Sequence, residues 1–223
     1  MRIDNTLGVL AVLTISFHTL QAEAPLDEPV EARGKWHATA SIGAGFQGEQ
    51  KVSTGPNGYT LYQSTDPGIH LETEISAEVI PSLEVGFSIG WISNPIDSFR
   101  EEYSIGGVTY SDTSSADNQT DMQFPFLVTT TYRPNLSRKV SPYVGLGAGG
   151  LLYYYQYREE DIFWDTIYYS TEFAFGLQGR AGIDFQVGSN MDLGIAYRLT
   201  GAFTSEIMED TVITHSILLS LRF

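Results

Sequence analysis

The chain has 223 residues, contains no cysteine and carries a formal charge of −15. Its length suits one domain, or one domain with a short appendage. The lack of cysteine excludes disulfide scaffolds, thiolate metal sites and cysteine nucleophiles. The chain has 27 Asp and Glu residues but only 12 Lys and Arg residues. This balance argues against nucleic-acid binding, because attraction of basic residues to phosphate supplies most of the affinity for nucleic acid. The 22 glycines, 13 tyrosines and 12 phenylalanines indicate a glycine-rich, aromatic all-β protein.

The first residues have the pattern of a secretory signal peptide. An apolar run over 7–17 follows an arginine-containing start, and small residues surround a predicted cleavage point after Ala22. The run is about half as long as the ~20 residues that a membrane-spanning helix needs. We therefore predict a signal peptide over 1–22 and a flexible lead-in over 23–35.

Apolar and polar residues alternate in eight stretches from Trp36 onward, which is the period of strands rather than of helices. The connections after the second, fourth and sixth stretches are short, and the others are longer and polar. The long connections are expected at about 48–67, 94–118, 155–168 and 201–211. Short turns at one rim and long loops at the other are typical of outer membrane barrels. The sequence predicts an all-β fold over 36–223, an eight-stranded antiparallel up-and-down transmembrane β-barrel.

The two faces of the predicted strands differ in charge and in residue size. One face has no Asp, Glu, Lys or Arg, whereas the other carries the charges and many glycines, among them Gly145 and Gly194. Small residues fit the crowded inside of a narrow barrel, so this face is expected to line the lumen. Aromatic residues near both rims of the apolar face, such as Trp36, Phe223 and Trp91, predict two interfacial girdles.

Three segments carry a resemblance to a known family, namely 142–149, 194–198 and 217–223. They resemble the small eight-stranded outer membrane proteins of Gram-negative bacteria, such as the OmpA-type transmembrane domain and the OmpX- and opacity-like surface proteins. The resemblance implies the cell outer membrane as location, with membrane lipid and lipopolysaccharide as partners. The chain departs from the two-domain members of this family, because it stops at the eighth predicted strand, and we expect no periplasmic domain after the barrel.

The end of the last predicted strand carries a further implication of this resemblance. In the family, a terminal aromatic residue preceded by alternating apolar residues is the signal that the barrel assembly machinery reads. The matching residues are Ile217, Leu219, Leu221 and Phe223.

The lumenal face predicts a network of charges. Its members are Glu72, Glu74, Glu78, Glu84, Arg180, Asp184, Asp192, Arg198 and Arg222. Counting from the short turns places the two middle arginines level with Glu72 and Glu74, and Asp192 near Arg222. Paired charges are tolerated inside a narrow barrel, whereas isolated ones are costly. The network is expected to act as a structural plug, and the alternative is a gate in a narrow channel for solutes.

The long loops are acidic and in one place aromatic. An extracellular aromatic patch is expected from Tyr153, Tyr155, Tyr157, Phe163, Trp164 and Tyr168. Such a patch fits strands that continue above the membrane to meet a partner, or an entry point for lipid or hydrophobic solute. A structural or surface-interaction role is therefore the main expectation, with an unidentified ligand.

Three other sequence patterns resemble cofactor, metal or catalytic sites but lack features that those sites need. Glycine patterns at 43–48 and 145–150 match the dinucleotide fingerprint without opening a helix, so no cofactor is expected. Acidic and amide residues over 112–121 lack the spacing of an EF-hand, so no metal site is expected. The remaining alternative is a lipid hydrolase with His215 as base, but the residues two away on the same face, Ile213 and Ile217, offer no nucleophile. No enzyme activity is expected.

Overall fold

The computed structural model describes residues 36–54, 59–116, 119–134, 139–161, 164–188, 190–203 and 211–223. The predicted signal peptide and lead-in lie outside the described residues. The strands are β1 (Trp36–Gln47), β2 (Gln50–Thr54), β3 (Thr60–Thr65), β4 (Gly68–Ile80), β5 (Leu83–Ile105), β6 (Val108–Ser115), β7 (Thr120–Tyr132), β8 (Val140–Asp161), β9 (Trp164–Gln186), β10 (Asp192–Phe203) and β11 (Val212–Arg222). Within the described residues, no helix is long and apolar enough to cross a membrane.

Eight of these strands form a closed antiparallel ring. Its order is β1, β4, β5, β7, β8, β9, β10 and β11, and β11 pairs again with β1. Two backbone hydrogen bonds between Ala38 and Phe223, of 3.1 and 2.9 Å, complete the seam. Closure leaves no open edge within the ring, as a barrel in lipid requires. The predicted eight-stranded barrel is confirmed.

The ring strands turn most of their apolar residues outward and their polar residues inward, and the buried exceptions include Leu127, Leu151 and Leu218. On β11, Ile217 is 56 % exposed on the outer wall, whereas Thr214 and Ser216 are fully buried in the lumen. The outer wall as a whole is apolar, and the lumen contains carboxylates, guanidinium groups, hydroxyls and amides. This distribution is inverted relative to a water-soluble barrel and matches a lipid-facing exterior.

Some glycines allow the strands to approach closely. A Cβ atom added at Gly43 would lie 1.9 Å from the backbone oxygen of Ile217 on the neighbouring strand. A Cβ at Gly194 would lie 2.0 Å from the Asp184 carboxylate in the lumen. Glycine at these positions is therefore a packing requirement rather than a loop signal.

Two regions that the sequence predicts as loops are paired strands beyond the ring. β3 pairs with β5 near Phe99, β2 pairs with β3, and β6 pairs with β5 along its full length. These strands and segment 96–105 of β5 form a four-stranded sheet at the long-loop end, termed here the outer sheet. Gly106 and Gly107, with φ of +61° and +82°, make the tight turn between β5 and β6. The loop prediction was wrong because strands exposed on both faces need not alternate apolar and polar residues.

A second pair of strands also continues past the ring. β8 and β9 stay in register from the barrel up to Asp161 and Trp164. The predicted extension of the fifth and sixth barrel strands is therefore present as a long hairpin.

Candidate functional site

The middle of the lumen contains two arginine–glutamate pairs that join distant strands. Arg180 on β9 donates to both carboxylate oxygens of Glu74 on β4, one at 2.8 Å, and also to the Thr131 hydroxyl. Arg198 on β10 lies 2.9 Å from the Glu72 carboxylate. The structure thus brings together the four middle residues that the sequence singles out. Because their side chains are almost fully buried, each charge depends on its partner for compensation.

A second cluster lies at the short-turn end of the lumen. Arg222 contacts Glu84 and lies 3.6 Å from Asp192, so the two residues predicted to be near each other are adjacent. Arg133, which the sequence analysis leaves out of the network, contacts Asp184 and lies 3.2 Å from Glu84. Arg133 comes directly after the last residue of β7, two positions after the lumenal Thr131. Because alternate residues of a strand share a face, this spacing was the signal that could have identified Arg133 as lumenal.

Glu78 does not join this network. Its carboxylate accepts a hydrogen bond of 3.2 Å from the backbone N–H of Ser82 at the turn between β4 and β5. Among the described residues, no ion pair includes Glu78. The predicted network member instead supports a turn in which Ser82 has a φ of +71°.

Little free space is left around these charges. The cavity between them has a volume of about 10 Å³, which is room for roughly one water molecule. Its lining consists of Thr39, Glu74, Glu84, Arg133, Tyr143, Arg180, Asp184, Arg198 and Ser220. The Arg133 guanidinium lies 4.3 Å from the centre of the Tyr143 ring and covers that side of the cavity. In this region the lumen is a filled core rather than a pore.

Neutral polar groups fill the lumen above the arginines. The His70 Nδ1 atom lies 2.8 Å from the Ser216 hydroxyl, and the Gln178 amide donates to Glu72 at 3.0 Å. Higher still, the Gln123 amide donates to Thr214 at 3.2 Å. Hydrogen-bonded amide, hydroxyl and imidazole groups therefore lie above the arginine layers, and the buried carboxylate of Asp121 lies at the same end of the lumen.

Tyr153 lies in this upper lumen and not in an extracellular aromatic patch. It is fully buried, and its hydroxyl donates to Asp121 at 2.5 Å. The prediction was wrong because residue 153 has the parity of the lumenal face, like Tyr143 and Gly145, while its neighbours point outward. Phe163 lies outside the described residues, and of the remaining patch members only the backbone is described. Those members are Tyr155, Tyr157, Trp164 and Tyr168.

The outer sheet carries exposed aromatic residues that the sequence analysis missed. Tyr103 on β5 and Tyr110 on β6 stack with ring centres 5.4 Å apart and planes inclined by 14°. Both remain exposed, at 38 % and 46 %. Glu101 and Asp112, the next cross-strand pair on the same face, place two carboxylates beside the rings. The glycine pair flanked by strand-forming residues was the available signal for this hairpin.

The opposite face of the outer sheet holds a cation. The Arg100 guanidinium lies 4.2 Å from the centre of the Tyr62 ring and contacts Glu49, at 2.5 Å, and Glu102. Hydrogen bonding to Glu49 is the main cause that raises the pKa of Arg100 above its ordinary value. The two faces therefore differ, since one presents an arginine paired with two acids and the other presents stacked tyrosines with acids beside them.

A family comparison agrees with this architecture. The model described as outer membrane protein beta-barrel domain matches residues 7–223. The chain belongs to this family. No match was found among curated protein sequences. Membership places the barrel in the outer membrane. Barrels of this kind have short periplasmic turns and longer extracellular loops, so we expect the outer sheet to lie outside the cell.

Solved structures of outer membrane proteins have a similar fold. Neisserial surface protein A is 14 % identical, with 84 % of this chain and 95 % of that chain covered and a TM-score of 0.50. The outer membrane protease OmpT of Escherichia coli is 8 % identical, with coverages of 84 % and 96 % and a TM-score of 0.50. Ail, the attachment invasion locus protein of Yersinia pestis, is 16 % identical, with coverages of 86 % and 99 % and a TM-score of 0.42. At such identities the first two support the fold alone.

The assembly-signal residues of this outer membrane barrel share one face of β11 and its end. Ile217, Leu219 and Phe223 are exposed on the outer wall, and Leu221 is half-buried there. They lie where a lipid-facing signal would be accessible before the seam with β1 closes. Their recognition by the assembly machinery stays a prediction.

The candidate base of the barrel, His215, has a phenol as its partner. Its Nδ1 atom lies 2.5 Å from the Tyr197 hydroxyl, and both residues are on the outer wall. Ser216, the adjacent serine, points into the lumen toward His70. Among the described residues, no group of three or more His, Asp or Glu side chains is arranged to hold a metal ion.

Proposed function

We propose that this outer membrane barrel is a surface-interaction protein that presents the outer sheet to an extracellular partner. The observation that carries the proposal is the β5–β6 hairpin, whose second strand is exposed at all eight residues. In the described part of the chain, β6 pairs only with β5. The outer edge of β6 therefore offers backbone N–H and C=O groups to an added strand.

The aromatic face of the hairpin supplies a second means of contact. Tyr103 and Tyr110 form a rigid apolar surface with hydroxyl groups at its rim, a composition that is common at binding surfaces. At the tip, Ile105 and Val108 are 65 % and 54 % exposed and extend this surface. Main-chain pairing would supply affinity, and the side chains of this face would supply specificity.

The filled lumen supports the same proposal over the channel alternative. A conducting path would have to pass the buried pairs of Arg180 with Glu74 and Arg198 with Glu72. The cavity beside Arg180, Arg198 and Glu74 has a volume of only about 10 Å³. The barrel thus serves as a rigid base for the outer sheet. The proposed role also needs no catalytic group, which fits a His215 that contacts a tyrosine rather than a serine.

Adhesion of whole cells tests the proposal. Cells that display the protein are applied to surfaces coated with extracellular-matrix or serum proteins, and retention is compared with that of cells without it. The double substitution Tyr103→Ser and Tyr110→Ser should abolish any gain in retention. Tyr62→Ser, on the opposite face of the same sheet, is the matched control and should leave it unchanged. Equal retention with all three proteins would contradict the proposal.

A further inference from the structure

Two polar side chains face each other at the extracellular mouth of the lumen. Asn94 on β5 and Asp121 on β7 are directly opposite in the strand register, and both are fully buried. The position is just below the outer sheet, where β5 leaves the ring. Neither residue belongs to the arginine-containing network further down.

The Asp121 carboxylate is incompletely compensated. One oxygen accepts a hydrogen bond from Tyr153, and Gln47 provides a second contact, so both described partners are neutral. The other oxygen, Oδ1, has no hydrogen-bond partner among the described residues. A buried carboxylate in such surroundings is costly unless a further group balances its charge.

Asn94 lies in a space that the backbone leaves for it. Gly45 and Gly68, which pair with each other on β1 and β4, lie beside its amide. A Cβ at Gly68 would lie 1.9 Å from the Ser93 backbone oxygen and 2.3 Å from the Asn94 Oδ1 atom, and a Cβ at Gly45 would lie 3.3 Å from that Oδ1 atom. Yet neither the oxygen nor the nitrogen of this buried amide has a partner in the described chain. Two glycines thus accommodate a polar group that the protein itself does not satisfy.

A third oxygen belongs to the same site. Gln119 precedes Asp121 by two residues, so its side chain is on the same face, and it is more than nine-tenths buried. Its Oε1 atom also has no partner in the described chain. The unsatisfied acceptors are therefore one carboxylate oxygen and two amide oxygens, the donor types that Ca²⁺ prefers.

We propose that Asp121, Asn94 and Gln119 bind a partly hydrated calcium ion at the extracellular mouth of the lumen. One cation satisfies all three acceptors and compensates the carboxylate charge. If Asp121 were protonated instead, its hydrogen could be donated to only one of the other acceptors. If a water molecule filled the site instead, the negative charge of Asp121 would remain uncompensated. The site differs from an EF-hand, since its ligands come from two barrel strands. One carboxylate with two amides suits the weak affinities of extracellular calcium sites, about 10⁻⁴–10⁻³ M.

Calcium titration of the full chain, refolded in detergent and freed of metal by chelation, tests this proposal. Wild-type protein should unfold at a higher temperature as CaCl₂ rises to about ten times the expected dissociation constant, because ligands that bind only the folded state stabilise it. Asp121→Asn keeps an acceptor for Tyr153 but removes the charge, and it should lose this shift. Asp112→Asn, on the exposed face of the outer sheet, is the matched control and should retain it. No shift in the wild type, or an equal shift in Asp121→Asn, would overturn the proposal.

Terbium luminescence gives an independent readout that does not need a carboxylate variant. Tb³⁺ bound beside Asp121 would be excited through Tyr153, and CaCl₂ should displace the signal. Gly45→Ala should weaken calcium competition severalfold by crowding the Asn94 amide, whose Oδ1 atom would lie 3.3 Å from the added Cβ. Gly48→Ala, where an added Cβ meets no atom within 4 Å, should not weaken it. Competition that is the same in both glycine variants and in the wild type would count against the site.

Discussion

Arg198 on β10 meets Glu72 on β4 across the lumen, although two other strands, β11 and β1, separate them in the ring. The Arg198 Nη2 atom lies 2.9 Å from the Glu72 Oε1 atom, and each side chain is 2 % exposed. The pair therefore ties opposite parts of the wall together through the interior. It also means that each residue is tolerable only while the other is present, because an uncompensated buried charge is costly.

Removing one member of this pair should destabilise the barrel strongly. We expect Arg198→Met to lower the free energy of unfolding by roughly 3–5 kcal/mol, because Glu72 then stays buried without its cation. The double variant Arg198→Met with Glu72→Gln should recover most of the loss, since both charges are gone. Urea unfolding in lipid vesicles, followed by tryptophan fluorescence, measures both. A double variant as unstable as the single one would show that packing, not charge, dominates.

Two glycine positions should differ in how much a substitution by alanine lowers the stability of the barrel. Gly43→Ala places a Cβ against the Ile217 backbone, so a loss of roughly 1–3 kcal/mol or more is expected from overpacking. Gly179→Ala, on the outer wall with no atom within 4 Å, should change stability by less than about 0.5 kcal/mol. The difference in unfolding midpoint between the two variants checks the close approach of β1 and β11. Similar midpoints would contradict it.

The turn of the outer hairpin should depend on glycine at Gly107. Its φ of +82° lies in the left-handed region, where an alanine costs about 1–2 kcal/mol. Gly107→Ala should therefore loosen segment 98–115 and speed its hydrogen exchange, while the barrel strands keep their protection. Gly106→Asn should be tolerated, because asparagine accepts this conformation. Exchange rates that rise equally in the barrel would mean that the hairpin and the ring unfold together.

The filled lumen predicts that the folded protein does not conduct. Purified protein in planar bilayers should show no stepwise openings, because side chains occupy the interior of an eight-stranded barrel. Arg180→Ala removes a large buried side chain and leaves Glu74 without its arginine. Its expected effect is a lower unfolding midpoint. Reproducible openings of the wild type that change in Arg180→Ala would instead favour a gated channel.

The barrel itself could be predicted because lipid imposes a strict two-residue period on every ring strand. The same period places Arg180, Arg198, Glu72 and Glu74 on one face, and counting from the short turns gives their height. It does not say which arginine reaches which glutamate, because that depends on strand tilt and stagger. Those quantities are properties of the closed ring rather than of any one strand.

The outer sheet could not be predicted in the same way. Water solvates both faces of β6, so this strand has no hydrophobic pattern that would mark it, and only Gly106 and Gly107 indicate a hairpin. The sequence offers Asp121 as a possible calcium ligand among the acidic and amide residues over 112–121, but without EF-hand spacing. What the sequence does not show is the second strand beside Asp121. Its neighbour Asn94 lies 27 positions earlier in the chain, and only the register of β5 and β7 brings the two together.

The seam between Ala38 and Phe223 has a consequence for biogenesis. These hydrogen bonds join nearly the two ends of the described chain, so the ring has contacts of very high sequence separation. Loop closure over such distances makes folding slow, and until it happens the edges of β1 and β11 remain adhesive. We therefore expect any product that lacks β11 to persist as an open, aggregation-prone sheet.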